Sequence, residues 1–262
     1  MNILVDTNIE ACTLVIKVRT FKQCTLRLIV SDYKQANTVF TNRFKTFNGN
    51  GELYVRMPLS PKEALVSVYN EAVGNRPKNE ETDFEVISIK KEGLQRRLDV
   101  ADIANPKVAS YVPFVQRFCY NAGVLAVDRI YHSSDNQFKI QYMSLIINPK
   151  TGMELPTPAR ISKSTGIIDG SQKRLLPMTV PGRMAVLLHE FAHLFMNKDM
   201  YNEEEADLNG LLIYLGLGYP RIEACEVFLK TFYNAATDAN LKRYMKIEKF
   251  INDFEKINFV MP

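Results

Sequence analysis

The chain lacks several things that would have assigned it quickly. None of its 262 residues falls in an apolar run long enough to span a membrane. The opening segment MNILVDTNIEACTLVIK places Asp6 and Glu10 inside the stretch where a secretory signal needs an unbroken apolar core, so a soluble, unprocessed cytoplasmic chain is expected. Charge of one sign is also missing. Lys and Arg number 33 against 29 acidic residues, a net charge of +4, and the two signs are interleaved along the chain. A nucleic-acid footprint gathers its basic residues in a stripe, so neither nucleic acid nor membrane is expected as a partner. The densest basic cluster, IKKEGLQRR at Ile89 to Arg97, reads as a solvated strand end and connector. The cysteines Cys12, Cys24, Cys119 and Cys225 show no CxxC or CxxH spacing, which excludes a zinc knuckle or a redox pair. Each has apolar neighbours, as a buried free thiol has, and this favours a reducing compartment. No internal repeat or low-complexity tract is present. Histidine is scarcer still, with three in the whole chain.

What is there divides in two. The first ninety or so residues read as strands: Cys12 to Arg19, Cys24 to Ser31, Thr38 to Phe47, Glu52 to Met57 and Phe84 to Ile89 are rich in β-branched and aromatic residues and partly alternate. NGNG at Asn48 to Gly51 supplies a tight hairpin turn. SPKEALVSVYNEA is ambiguous, because Ser60, Pro61 and Glu63 look like a helix start while Val66, Val68 and Tyr69 suit a strand. The polar stretch Gly74 to Asp83 reads as a long loop.

From Asn105 the period changes. Asn105 as N-cap and Pro106 at the first helical position open a helix carrying Val108, Tyr111, Val112, Val115 and Cys119 on one face. Strands are expected at Phe138 to Ile147 and Ala159 to Asp169, followed by helices at Pro181 to Asn197, Glu203 to Leu215, Pro220 to Asn234 and Asn240 to Lys256. The expected fold class is α+β, with an N-terminal β-rich, sandwich-like domain over residues 1–95 and a second domain over residues 104–262.

Two of the three histidines fall in HEFAHLFMNKDMYNEEEAD, beginning at His189. His189 and His193, four apart on a helix, project from one face and can share one ion. Glu190 lies about a hundred degrees round the helix, where it reaches a water on that ion rather than the ion itself. Zinc with three protein ligands and an open position acidifies bound water, and a nearby carboxylate takes the proton as the water attacks a carbonyl. Met184, Leu187, Leu188, Phe191, Leu194 and Phe195 give this helix a wide apolar face, and polar groups on so embedded a helix need partners. A third ligand must come from the acidic residues beyond. Glu203, Glu204, Glu205 and Asp207 crowd the next helix start, where Asn202 as N-cap with Glu205 in the capping-box position also accounts for part of the cluster. His132, in YHSSDNQ, has loop surroundings and no paired carboxylate, and reads as a surface residue.

HEFAH followed by EEEAD resembles the gluzincin class of zincin-like zinc metallopeptidases. The resemblance implies that Glu203 is the third zinc ligand and Glu190 the catalytic base. It further implies that Asp207 hydrogen-bonds a ligand histidine. Residues 104–262 would then form a zincin-like metallopeptidase domain, with the strand at Ala159 to Ile168 as the edge that pairs with an extended peptide substrate. The motif spans nineteen residues, and the order of elements extends the likeness over residues 105–262. The His193 to Glu203 interval of ten residues is shorter than in many of the class, and Asp199 is a rival third ligand in the metzincin position, although Met196 stands where that pattern has a turn glycine. No histidine follows His193, so a transition-state histidine of the thermolysin type is absent. Tyr219, Tyr214 and Arg221 are the candidates to stabilise an oxyanion. The general cast of the chain also resembles zincin-domain proteins of tailed phages. That likeness implies a second reading, an adaptor of a virion or other assembly docked through its N-terminal domain to protein partners.

Overall fold

The computed structural model of the chain describes residues 1–72, 83–234 and 237–256. It is a mixed α/β structure in two compact units, Met1–Gln95 and Arg96–Pro262. The first unit holds seven strands among its described residues: β1 (Asn2–Asp6), β2 (Cys12–Thr20), β3 (Cys24–Asp32), β4 (Val39–Phe47), β5 (Asn50–Met57), β6 (Glu63–Asn70) and β7 (Phe84–Gly93). They form two antiparallel sheets, ordered β1-β6-β3-β4 and β5-β2-β7. Period-two alternation decides which face is buried: Leu26, Leu28 and Val30 of β3 are hidden while Thr25, Arg27 and Ile29 are half-buried. Gly49 takes φ +88° in the β4–β5 turn, a conformation that a side chain would strain.

The ambiguous segment is a strand. β6 pairs with β1 on one side and β3 on the other, and these long-range ladders outweigh the local helix-start signal of Ser60 to Glu63. The β1 strand that it meets was not among the expected elements. Of the polar stretch Gly74 to Asp83, only Asp83 lies within the described residues; it is buried, accepts from Asn70 Nδ2 at 2.8 Å and pairs with Lys22.

The second unit opens with α1 (Pro106–Asn121), where the Asn105 side chain accepts from the Lys107 and Val108 amides. A sheet follows, built from β8 (Arg129–His132), β9 (Lys139–Met143), β10 (Ala159–Ile161) and β11 (Ile167–Ser171) in the order β10-β11-β9-β8. Only the β9–β11 pair is parallel. Five further helices among the described residues complete the unit: α2 (Gln172–Leu175), α3 (Val180–Phe195), α4 (Glu203–Gly216), α5 (Arg221–Asn234) and α6 (Asp238–Asp253). None of these helices is long and apolar enough to cross a membrane.

Two expectations need correction. Ala159 to Asp169 is a hairpin rather than one strand: Gly166, at φ +71°, lets the chain reverse, and Ser162 N bonds to Ile167 O across it. β10 is therefore a three-residue edge strand. His132 ends β8 rather than lying in a loop; its exposed ring contacts Asn136 Oδ1 at 2.7 Å.

The helix carrying both motif histidines is clamped from several sides. Met184, Leu187, Leu188 and Phe191 are fully buried, and Tyr111 of α1 stacks on Phe191 while donating its hydroxyl to the Leu187 carbonyl at 2.8 Å. Arg183, also inaccessible, donates to the carbonyls of Leu175, Leu176 and Cys119 at 3.0, 2.9 and 2.7 Å. These carbonyls lie at the ends of α2 and α1, where the helix's own donors have run out. One guanidinium thus joins three helices. Arg183→Met leaves the carbonyls buried without it and is expected to lower stability by about 2–5 kcal/mol. Urea unfolding checks this, and an unchanged midpoint would show that the contacts carry no weight.

Candidate metal centre

His189 and His193 project from one face of α3 with their Nε2 atoms 3.2 Å apart. Glu203, the first residue of α4, closes the group: its Oε2 lies 3.5 Å from His189 Nε2 and its Oε1 3.5 Å from His193 Nε2. One donor atom from each residue falls within 4.8 Å of the others. Asn202 caps α4 by accepting the Glu205 amide at 3.0 Å, while the Glu205 carboxylate turns to Asp199 N instead of closing a capping box. The turn between the helices is tied by Asn197, which donates to Asn202 O and accepts from Asn209.

The helices come this close because residue 210 is glycine. A Cβ there would sit 2.9 Å from the backbone nitrogen of His189 and 3.0 Å from its Cα. Backbone cannot give way as a flexible side chain can. The glycine lets the first turns of α4 lie against the last turns of α3.

Each histidine has an acceptor close to its outer nitrogen. His189 Nδ1 lies 2.9 Å from Asp207 Oδ1, and His193 Nδ1 lies 3.0 Å from the Met200 carbonyl. A carbonyl or an ionised carboxylate can only accept, so both contacts favour a protonated Nδ1, the tautomer in which a neutral ring points its Nε2 lone pair inward; Lys163 Nζ, 3.4 Å from His193 Nδ1, competes for that position. The Asp207 contact is short but not in line with the ring N–H. Two imidazole lone pairs and a carboxylate this close repel unless a cation lies among them. In the metal-free protein that cation is a proton: burial opposes it, but the Asp207 and Glu203 carboxylates, with Glu190, raise His189 to about 10. The same two rings hold the Glu203 carboxyl well below the usual carboxylate range. The donor set, two imidazoles and one carboxylate with an outer partner fixing the tautomer, suits a divalent ion of the zinc type.

Glu190 points to the other side of the pair. It is 9% exposed, and its Oε2 accepts the Ile161 amide of edge strand β10 at 2.8 Å. Burial raises its carboxyl above the ordinary value, against the pull of His189 and His193. The group opens into a cavity of about 300 Å³ whose walls include β10, Val186, Val227, Phe228 and Phe232.

His189, Glu190, His193, Glu203 and Asp207 are therefore brought together, and other expected residues are not. Asp199 spends its carboxylate on the Tyr201 amide and is absent from the cavity wall. Glu204 pairs with Lys246. Tyr214 and Tyr219 are buried and stacked on each other at 5.0 Å, with Tyr214 donating to Pro220 O and Tyr219 accepting from Gln116. Neither these tyrosines nor Arg221 lines the cavity, which corrects the expectation that they face the His189, His193 and Glu203 group. Arg243, which sequence reasoning missed, does line it. Nothing in LKRYMKIEKF separates this arginine from the surface lysines around it. Comparison of the chain with protein-family models, curated proteins and solved structures finds no match.

Two outcomes follow from this geometry alone. Gly210→Ala is expected to lower stability by about 1–3 kcal/mol, read by thermal or urea unfolding, because α4 must move off α3. A variant as stable as the parent would mean that the helices are not held at this distance. The second concerns pH in the presence of a chelator. His189 is raised in the folded protein, so its contribution is complete below 6.5 and lost as pH climbs towards about 10. Glu203 is depressed, so its contribution is present above 4.5 and lost as pH falls below it. Melting temperature should decline above pH 6.5 more steeply in the parent than in His189→Gln; identical slopes would remove the protonated His189 from the account.

Proposed function

We propose that the chain is a zinc-dependent metallopeptidase with a zincin-like second unit, acting on peptide bonds of a peptide or protein substrate. The observation that carries this reading is the convergence of His189, His193 and Glu203 within 4.8 Å, beside a buried Glu190 tied to the edge of a sheet. A zinc ion bound there would acidify water and polarise the scissile carbonyl. Nε2 of each histidine and the Glu203 carboxylate would hold it, with Asp207 and the Met200 carbonyl keeping the rings in the ligating tautomer.

Glu190 is the proton carrier. Its Oε2 is taken by the Ile161 amide, which leaves Oε1 to receive the proton of the attacking water and pass it to the leaving amine. The carboxyl's raised pKa suits a group that must both accept and return a proton. Substrate alignment falls to β10. Ser162 N and Pro158 O bond back to β11, so by strand alternation the backbone groups of Ala159 and Ile161 face away from the sheet. An extended peptide added to this edge would run past the metal ligands.

Elemental analysis of the purified protein is expected to find about one zinc per chain, and none in His193→Ala. Glu190→Gln should keep the metal and lower the cleavage rate of a peptide library, followed by mass spectrometry, by about 10²–10⁴-fold. A parent protein that takes up no metal when zinc is supplied, or a Glu190→Gln variant with full activity, would overturn the reading.

A further inference from the structure

Arg243 reaches the centre from α6, 36 residues beyond Asp207, where the motif ends. Its Nε donates to Asp207 Oδ2 at 2.8 Å and its Nη2 to Asp207 Oδ1 at 3.0 Å, a two-point clamp on a carboxylate that is 1% exposed. The same Nη2 reaches Glu203 Oε2 at 3.2 Å. One guanidinium therefore grips the carboxylate that orients His189 and the carboxylate that faces both rings. Nη1 lies 3.4 Å from Asn240 Oδ1, and the guanidinium carbon lies 4.8 Å from the Phe232 ring centroid, so the fork is held from the side as well.

We infer that Arg243 is a positioning residue of the metal centre, holding Asp207 against His189 and fixing the orientation in which Glu203 faces the two rings. The inference rests on the metallopeptidase reading of the site. Its physical basis is the way the Glu203 carboxylate is held. Each of its oxygens lies 3.5 Å from one ring Nε2, and Oε2 is in addition engaged by the arginine, so the guanidinium fixes the direction in which the carboxylate faces the rings. A planar fork is needed, because two parallel donors fix the Asp207 plane and a third direction is still left for Glu203. Lysine at the same place supplies charge from a single point and cannot do both.

The role also explains a feature of the sequence. Glu203 and Asp207, four apart, lie on one face of α4, as a ligand and its neighbour's partner must. Yet two carboxylates on one face beside a third, Glu190, repel each other. The arginine between the first two relieves this without occupying the side where the histidines stand.

The test compares zinc affinity, by chelator competition, and the visible spectrum of the cobalt-substituted protein in the parent, Arg243→Lys and Arg243→Met. Loss of an outer partner of this kind is expected to weaken metal affinity about 10–100-fold in Arg243→Met, with Arg243→Lys between it and the parent. The cobalt spectrum should shift in Arg243→Met, as Glu203 loses the contact that fixes its orientation. A merely structural arginine would lower the melting temperature of the metal-free protein and leave affinity and spectrum alone. Parental affinity and an unchanged spectrum in both variants would overturn the inference while leaving the metal site standing. If Arg243→Met does not fold, Arg243→Lys decides by the same readings. A parent chain that binds neither zinc nor cobalt would remove the site itself, and the inference with it.

Discussion

The centre depends on how closely two helices can approach. Three candidate ligand atoms come from two helices, and Glu203 joins the histidine pair on α3 only if the first turn of α4 lies within side-chain reach of it. Glutamate is short, so the backbones must nearly touch. Gly210 is where they do, with the space for its missing Cβ already taken by the His189 backbone. Everything else that positions the site acts through that approach: Asn202 starts α4 at the right residue, Asn197 ties the turn, and the four-residue spacing of Glu203 and Asp207 sends one carboxylate to the ring tips and the other to a ring's outer edge.

Such a grouping is expensive to bury. Asp207, Glu190 and His193 are almost wholly withdrawn from water, and an isolated charge in such a place would shift its pKa or unfold the site. Each polar group is instead assigned a partner of a different kind. Asp207 has a guanidinium fork and an imidazole, Glu190 a strand amide, and His193 a carbonyl. The apolar clamp on α3 then sustains the arrangement. Tyr111 bonds to the carbonyl of Leu187, two residues before His189, and Arg183 ties the helix's start to the ends of α1 and α2. Rigid support of this sort keeps imidazoles in one rotamer, without which two nitrogens would not remain 3.2 Å apart.

Local rules made part of this legible and could not reach the rest. His189, Glu190 and His193 are set by helical spacing, which sequence shows directly. Glu203 and Asp207 followed from a resemblance, since a helix N-terminus rich in acid has an ordinary explanation in its dipole. Arg243 lies 36 residues beyond Asp207, and a contact at that separation has no local signature. The same holds for Gly210, whose importance is a property of the neighbouring helix. Tyr214 and Tyr219 misled because tyrosine hydroxyls serve equally well as buried hydrogen-bond partners, which is how both are used here. In the first unit, β6 was ambiguous because its identity is decided by the two strands that flank it.

The Ile161 amide joins two parts of the site that a motif treats separately. On the proposed reading β10 receives the substrate backbone and Glu190 handles the proton, yet one hydrogen bond of 2.8 Å connects them. A peptide pairing with the outward groups of Ala159 and Ile161 must meet that bond directly. If the amide stays with Glu190, the base keeps one oxygen fixed and the substrate is aligned by the remaining backbone groups of the edge. If the amide turns to the substrate, Glu190 loses a donor that stabilises its charged form, and burial then raises its proton affinity further. On that reading strand pairing and base strength are coupled through a single N–H. The short length of β10 keeps the coupling local, because a three-residue edge has few other groups to offer an incoming chain.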